Sequence, residues 1–326
     1  MWQAVYDTRG DAPHTRIRCV ERDTPAPGAD EVLLEMLAAP INPSDVLTIT
    51  GQYGALPPLP AVGGNEGVAR VAKRGADVRR LAVGDLVLMP VGAGTWRSHA
   101  VARADALLPL PAGGDPLQLA MLTVNPPTAS LLLSEFVTLA PGDWVVQNAA
   151  NSAVGEYLIQ LARARGIRTV NVVRRDAMVP VLEALGGDVV LVDGPDLPER
   201  VAAATQGAKV RLAFDAVGGT ATDRLARSVT IGGTVVNYGA MSGEACKVAP
   251  GSFVFRDVTL RGFWLAFWFR HATGEQQRAL YGELAQRVAA GTLAARVDRT
   301  FPLAQIQDAV AYAAAGGRNG KVLLVP

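Results

Sequence analysis

Up to about residue 118 the apolar positions fall in short, often alternating runs, the rhythm of β-strands. Glu31–Pro40 is mostly apolar and closes on a proline. Gly67–Gly75 alternates apolar with charged residues, so one face of that strand meets solvent. Gly84–Met89 follows a Gly-Asp turn as a further strand, and Met1–Tyr6 opens the chain with the same alternation. This half predicts a compact, mainly antiparallel β domain. From about Leu119 the pattern changes. Strands predicted at Trp144–Ala149, Thr169–Val173, Asp188–Val192, Val210–Asp215 and Thr234–Tyr238 alternate with helical periods such as Ala177–Leu185 and Leu197–Thr205. That alternation predicts a parallel, doubly wound sheet with right-handed crossovers. Such sheets take ligands beyond the carboxyl ends of their strands, here Asn148-Ala149, Val173-Arg174, Asp215 and Tyr238-Gly239.

After Gly262 comes an aromatic burst, Phe263 to Phe269. A helix from Glu275 to about Ala290, a strand Val297–Phe301, a helix Leu303–Ala315 and a strand Lys321–Val325 complete the pattern. The last strand is expected to return to the first domain. The β domain would then comprise 1–118 and 266–326, interrupted by a cofactor domain at 119–265.

The most informative stretch is Trp144 to Gly155. It reads as a buried strand, a turn of small residues and the start of an amphipathic helix, with Val154, Leu158, Leu161 and Ala162 on one face. A helix entered this way aims backbone N–H groups and a favourable dipole at an anion. A GxGxxG dinucleotide fingerprint laid over Ala150–Gly155 keeps only its last glycine, so an ordinary strand–helix turn competes with a pyrophosphate turn. Arg174, nineteen residues after Gly155, ends the second strand. An acidic residue there would suit the ribose hydroxyls of NAD, whereas arginine suits the 2′-phosphate of NADP. Arg175 doubles the charge; the bland alternative is a pair of solvated arginines.

Composition narrows the classes. A net charge of +1 over 326 residues, without a block of like charge, suggests neither a nucleic-acid nor a membrane partner. Only Cys19 and Cys246 are present, far apart, so no disulfide framework is expected. With no signal segment and no apolar run long enough for a bilayer, a soluble cytoplasmic protein is expected.

The motifs resemble the medium-chain dehydrogenase/reductases, and within them the mitochondrial-type trans-2-enoyl thioester reductases. The match is carried by Asn42-Pro43-Ser44-Asp45, Gly51-Gln52-Tyr53-Gly54, Leu56 to Gly67, Gly94-Thr95-Trp96-Arg97 and Val124-Asn125-Pro126. It continues through Gln147 to Ser152, Asn171-Val172-Val173-Arg174, Tyr238-Gly239-Ala240-Met241 and Arg261-Gly262-Phe263-Trp264-Leu265. The resemblance implies a Rossmann cofactor domain beside a discontinuous GroES-like catalytic domain, with NADPH as cofactor. It implies reduction of the C=C bond of an enoyl-CoA or enoyl-acyl-carrier-protein, in a homodimer. Zinc alcohol dehydrogenases of this superfamily use Cys, His and Cys ligands; here the segment ending at Asn42 lacks cysteine, and Asn65 precedes Glu66 where the zinc pattern has histidine. His14, His99 and His271 are scattered, so a zinc-free enzyme is expected.

Tyr53 matches the tyrosine that protonates Cα after hydride reaches Cβ, a role a positioned phenol can fill. A packing tyrosine in a glycine loop is the competing reading. By the same resemblance Asn125, Asn151, Ser152, Ala153 and Val154 would contact the cofactor, and Arg174, Arg175 and Asp176 its adenosine phosphate end. Tyr238 to Met241 and Phe263 to Leu265 would line the nicotinamide, with Lys321 reaching it from the other domain. Trp264 would shape the acyl pocket, while Glu66 is expected to be a buried structural carboxylate. Ala153 replaces a glycine common in the turn, and Pro126 has no N–H to donate. Two other functions stay open: a zinc-free NADPH:quinone or enone reductase, and a non-catalytic NADPH-binding protein.

Overall fold

The strand Glu31–Ile41 carries most of the pairing in the N-terminal half. It runs antiparallel to Val68–Arg74 and to His99–Arg103, and its last residues pair with Lys321–Val325. The final strand thus returns to the N-terminal half, as expected of it. Pro40 lies inside the strand rather than ending it; its carbonyl accepts the Trp96 indole N–H at 3.2 Å. A smaller sheet joins Trp2–Tyr6 to Ile17–Glu21 and Ala61–Val62. The computed structural model describes all residues, 1–326. Contacts divide them into two units, Met1–Val124 with Ala279–Pro326, and Asn125–Arg278. The sequence pattern put the changes at 118/119 and 265/266; the contact units change at 124/125 and 278/279.

The core of the first unit gathers Tyr6, Ile41, Ile49, Trp96, Phe301 and Val322. Trp96 explains the double glycine before Asn65. A Cβ on Gly63 would stand 2.3 Å from the indole, and one on Gly64 would stand 2.4 Å from the Thr95 hydroxyl, with Gly64 at φ +98°. Only glycine tolerates both that backbone and that proximity. The pair therefore lets the ring in and sets the direction in which Asn65 and Glu66 leave the turn.

In the second unit six strands form one parallel sheet, in the order Val189–Val192, Arg168–Val173, Trp144–Gln147, Val210–Asp215, Thr234–Asn237, Thr259–Gly262. All adjacent pairs are parallel. The first strand in sequence lies between the second and the fourth, so the chain winds outward in both directions from Trp144–Gln147. That reversal of order is the switch point at which doubly wound sheets bind ligands. Both faces are covered by apolar side chains, among them Val146, Val170, Ala213 and Val235 on one side and Ala150, Ile159 and Leu182 on the other.

The sixth strand, Thr259–Gly262, has no counterpart in the sequence pattern, because it is a largely exposed edge without a buried apolar run. The aromatic burst that follows is a short helix, Leu265–His271. No helix is long and apolar enough to cross a membrane.

Two glycine substitutions separate steric need from mere flexibility. Gly64→Ala should lower unfolding stability by about 2–4 kcal/mol, through clash and left-handed strain. Gly282, mid-helix in Gly274–Ala289 with nothing within 4 Å of a new Cβ, should gain about 0.5–1 kcal/mol as alanine. Urea denaturation of the two variants checks both signs.

Candidate active site

The Trp144–Gln147 strand leads into the helix Ala153–Ala164, whose N-cap is Ser152. The Ser152 hydroxyl accepts the Gly155 N–H at 3.2 Å, and the first helical bond runs from Glu156 N–H to Ser152 C=O at 2.9 Å. The N–H groups of Ala153 and Val154 precede that bond, which is where a helix leaves donors for an anion. The one surviving glycine of the fingerprint is the one that packing demands: a Cβ on Gly155 would meet the Ala150 carbonyl at 2.4 Å. Ala149 holds a left-handed backbone at φ +46°, an uncommon state for alanine and a mark of local strain at the strand end.

The neighbouring strand ends in Asp215, which is fully buried. Its carboxylate accepts Asn148 Nδ2 at 2.6 Å, the Thr222 hydroxyl at 2.7 Å, Val217 N–H at 2.9 Å, Gly218 N–H at 3.0 Å and Asn237 Nδ2 at 3.1 Å. Burial alone would push this carboxyl up, but the donors outweigh it and hold it below the ordinary aspartate value. Asn148 is held in turn, its Oδ1 accepting Ala216 N–H at 2.8 Å. The loop after the next strand lies along the same backbone. Tyr238 N–H bonds Asp215 C=O, Met241 N–H bonds Ala216 C=O and Ser242 N–H bonds Val217 C=O, at 2.9, 3.0 and 2.9 Å. Asp215 thus organises the Asn148 and Tyr238–Met241 ends together. The sequence marked it only as the end of a strand.

The Tyr238 hydroxyl is shut from solvent beside Ser152, without a hydrogen bond of ordinary geometry. Burial raises its pKa above that of a free phenol, so it is a proton-bearing donor facing the turn. Asn151, Ser152, Ala153 and Val154 are half-buried along the turn, and Met241 is exposed. Asn125 is buried at the head of the helix Asn125–Leu132. Phe263 N–H bonds Asn237 C=O at 2.9 Å, and its ring meets Phe136 edge-on at 6.0 Å. Trp264 is half-buried with the Arg270 guanidinium 5.2 Å from its ring centroid, and Leu265, buried, opens the aromatic helix. Arg174 and Arg175 are both exposed at the end of the second strand. The nearby acid Asp193 is already paired with Arg224 at 2.6 Å. Backbone donors at a helix N-terminus with exposed guanidiniums one strand away are the donor set a phosphorylated dinucleotide requires.

In the first unit Tyr53 is half-buried, in the loop that follows the helix Pro43–Thr50 and its left-handed cap Gly51. Beside the same helix lies a buried polar cluster. Asn42 Nδ2 donates to Glu66 at 2.7 Å, and the Lys321 ammonium donates to Asn42 Oδ1. Asp45 accepts Asn42 N–H at 2.7 Å, Asn65 N–H at 2.9 Å and Asn65 Nδ2 at 2.8 Å. Glu66 also accepts Val124 N–H at 2.9 Å. Lys321, expected at the nicotinamide, has its ammonium buried in this cluster. Burial pushes Glu66 up to about 8, against the pull of Lys321 and Asn42, and pushes Asp45 up to about 6. It draws Lys321 down to about 8, against Glu66 and Asp45. No three His, Cys, Asp or Glu side chains converge on a metal position. Asparagine amides and an ammonium stand in this cluster instead, a set that does not fit tetrahedral zinc.

Residues 28–112 match the alcohol dehydrogenase GroES-like domain, and residues 153–277 match the family described as zinc-binding dehydrogenase. The chain is 39% identical to the human mitochondrial enoyl-[acyl-carrier-protein] reductase over 312 residues, 94% of this chain and 83% of that protein. The chain belongs to the medium-chain dehydrogenase/reductase superfamily. The Caenorhabditis elegans protein of the same description is 40% identical, covering 82% of this chain and 78% of its own. Among solved structures of the superfamily, the complex of Etr1p with NADP and crotonyl-CoA superposes with TM-score 0.89 at 28% identity, covering 100% of this chain and 99% of that one. A structure described as an NADPH:quinone reductase from Bacillus thuringiensis superposes with TM-score 0.90 at 29% identity, covering 100% and 98%.

The cluster has a definite pH signature. Asp45 and Glu66 sit above their unfolded values, so what they contribute to stability is whole below about pH 4 and is lost as pH rises through about 6 and about 8. Lys321 sits below its unfolded value, so its contribution is whole above about pH 10 and is lost as pH falls through about 8. Glu66→Gln removes one acidic limb. The stability of this variant relative to the parent should therefore rise between pH 5 and pH 8, by a few kcal/mol at about 1.4 kcal/mol per pKa unit. Denaturant midpoints measured at each pH test it; a constant difference across that range would mean Glu66 does not titrate there.

Proposed function

We propose that this chain reduces the C=C bond of 2-enoyl thioesters, presented on CoA or acyl carrier protein, with NADPH as the hydride source. One observation carries the reading: near-full-length similarity, at 39% identity, to proteins described as enoyl-[acyl-carrier-protein] reductases. The Asn151–Val154 turn would hold the pyrophosphate, and Arg174 and Arg175 the 2′-phosphate. Asn125, Tyr238, Met241, Phe263 and Leu265 would complete the cofactor set, while Lys321, expected there too, has its ammonium committed to Asn42. Two guanidiniums at the 2′ position favour NADPH over NADH, since each forms charge-assisted bonds only with the extra phosphate.

Hydride addition at Cβ leaves an enolate whose Cα needs a proton. Tyr53, on a short glycine loop, supplies it, and the step draws on none of the metal chemistry that a zinc enzyme uses for charge. Trp264 forms part of the acyl pocket wall. A homodimer is the assembly this reading adopts, on the likeness to the Etr1p/Etr2p heterodimer of Candida tropicalis, which superposes with TM-score 0.87 at 29% identity.

The TM-score of 0.90 to the structure described as a quinone reductase favours a second reading, NADPH:quinone reduction at the same site. Turnover of crotonyl-CoA and longer enoyl-CoAs against small quinones separates the two. Turnover of quinones alone selects the second, and NADPH binding without any turnover selects a non-catalytic protein. Under the enoyl reading, Tyr53→Phe should lower kcat by about 100-fold or more while the Kd for NADPH stays within about twofold. Arg174→Ala with Arg175→Ala should raise KM for NADPH by about tenfold or more and leave KM for NADH nearly unchanged. Equal effects on both cofactors would remove the 2′-phosphate role.

A further inference from the structure

The chain passes between its two contact units twice, at Val124–Asn125 and at Arg278–Ala279. On the first-unit side, both passages are tied down beside the buried cluster. Glu66 accepts the Val124 N–H at 2.9 Å, and the Tyr281 hydroxyl, from the helix Gly274–Ala289, donates to Thr123 C=O at 2.9 Å. Glu66 is itself fully buried, and its other oxygen takes Asn42 Nδ2 at 2.7 Å, while the far end of the same carboxamide takes the Lys321 ammonium. Asn42 therefore bridges a carboxyl and an amine through one rigid planar group. A purely apolar plug would fill this space without the cost of burying a carboxylate. The cluster instead directs one carboxylate oxygen at a backbone N–H, that of the residue preceding Asn125.

We propose that Glu66 is a positioning residue for the cofactor: with the Tyr281 hydroxyl it clamps Thr123–Val124 and thereby fixes Asn125, and the proton balance between Glu66 and Lys321 across Asn42 sets how firmly the clamp holds. This rests on the reading of the chain as an NADPH enzyme. An ionised Glu66 accepts the Val124 N–H more strongly than a neutral carboxyl does. The groups that set its charge are Lys321 from the final strand, Asp45 from the helix Pro43–Thr50 and the Asn42 and Val124 donors; Glu66 in turn raises the Tyr281 phenol, and Arg318 acts one step away, on Lys321. Lys321 favours the ionised form, whereas burial and Asp45 oppose it. Both Glu66 and Lys321 are drawn toward about 8, so the balance shifts in the weakly alkaline range. Rising pH then tightens the clamp.

The test follows amide exchange at Val124 and NADPH affinity in the full chain, above pH 7, where the cofactor 2′-phosphate is fully ionised. In the parent protein the protection factor of the Val124 amide should rise between pH 7 and pH 9. In Glu66→Gln it should fall about tenfold and lose that pH dependence, with the Kd for NADPH raised fivefold or more. Tyr281→Phe removes only a hydroxyl and serves if the glutamine variant does not fold. It should weaken NADPH about threefold and leave the pH profile of Val124 in place. Parent-like Val124 protection with the same pH profile in Glu66→Gln, or NADPH affinity within twofold of the parent in the folded variants, overturns the proposal. If the parent binds no NADPH, the cofactor reading fails on its own, and the Val124 exchange profile alone decides the clamp.

Discussion

A buried carboxylate that gives up water must find its donors in the protein, and Asp215 does so at the switch point of the parallel sheet. Two asparagine side chains, a threonine hydroxyl and two backbone N–H groups converge on it, and the strand-end loops are laid out by that convergence. Asn148 is fixed at the end of the first strand, the Ala216–Gly218 backbone is turned inward, and Tyr238–Met241 is hydrogen-bonded along that backbone. Asn148, just before the proposed cofactor turn, and Tyr238, through its N–H, are each one bond from Asp215. A charge meeting so many fixed dipoles is preorganised, and it holds its neighbours before any ligand arrives.

The first unit solves a related problem with different parts. Asn42, Asp45, Asn65, Glu66 and Lys321 form a closed polar network in which an ammonium offsets two carboxyl groups. A zinc ion held as in the zinc alcohol dehydrogenases would need thiolate and imidazole donors, and the cluster has asparagine amides and an ammonium in their place. Tyr53, one short loop away in sequence, is the proton donor of the proposed reaction. The network is also coupled to the Thr123–Val124 segment, through which the chain enters the second unit.

How far these features were legible in the sequence depended on how local their causes are. Val210–Asp215 and Lys321–Val325 stood out because buried strands read as continuous apolar runs. The doubly wound parallel sheet followed from the alternation of strands and helices, and the motif strings identified the superfamily. Thr259–Gly262 escaped because an exposed edge strand needs no apolar face. The Asn42–Lys321 bond joins residues 279 positions apart, so no window of sequence could announce it. Glu66 was read as a buried structural carboxylate, and it is buried, but its grip on Val124 depends on a turn that Gly63 and Gly64 shape around Trp96. Asp215 carried only the signal of a lone acid closing an apolar strand, too common a pattern to mark a hub.

In the proposed reduction hydride goes to Cβ and Tyr53 protonates Cα. Isotope tracing follows both atoms. Crotonyl-CoA turned over with NADPH deuterated at the transferable C4 position, in ordinary water, should give butyryl-CoA labelled at Cβ alone. With unlabelled NADPH in heavy water, the label should enter at Cα alone, and Tyr53→Phe should slow its entry with the rest of the reaction. Cofactor deuterium at Cα, or no reduced thioester at all while quinones are consumed, would contradict the account.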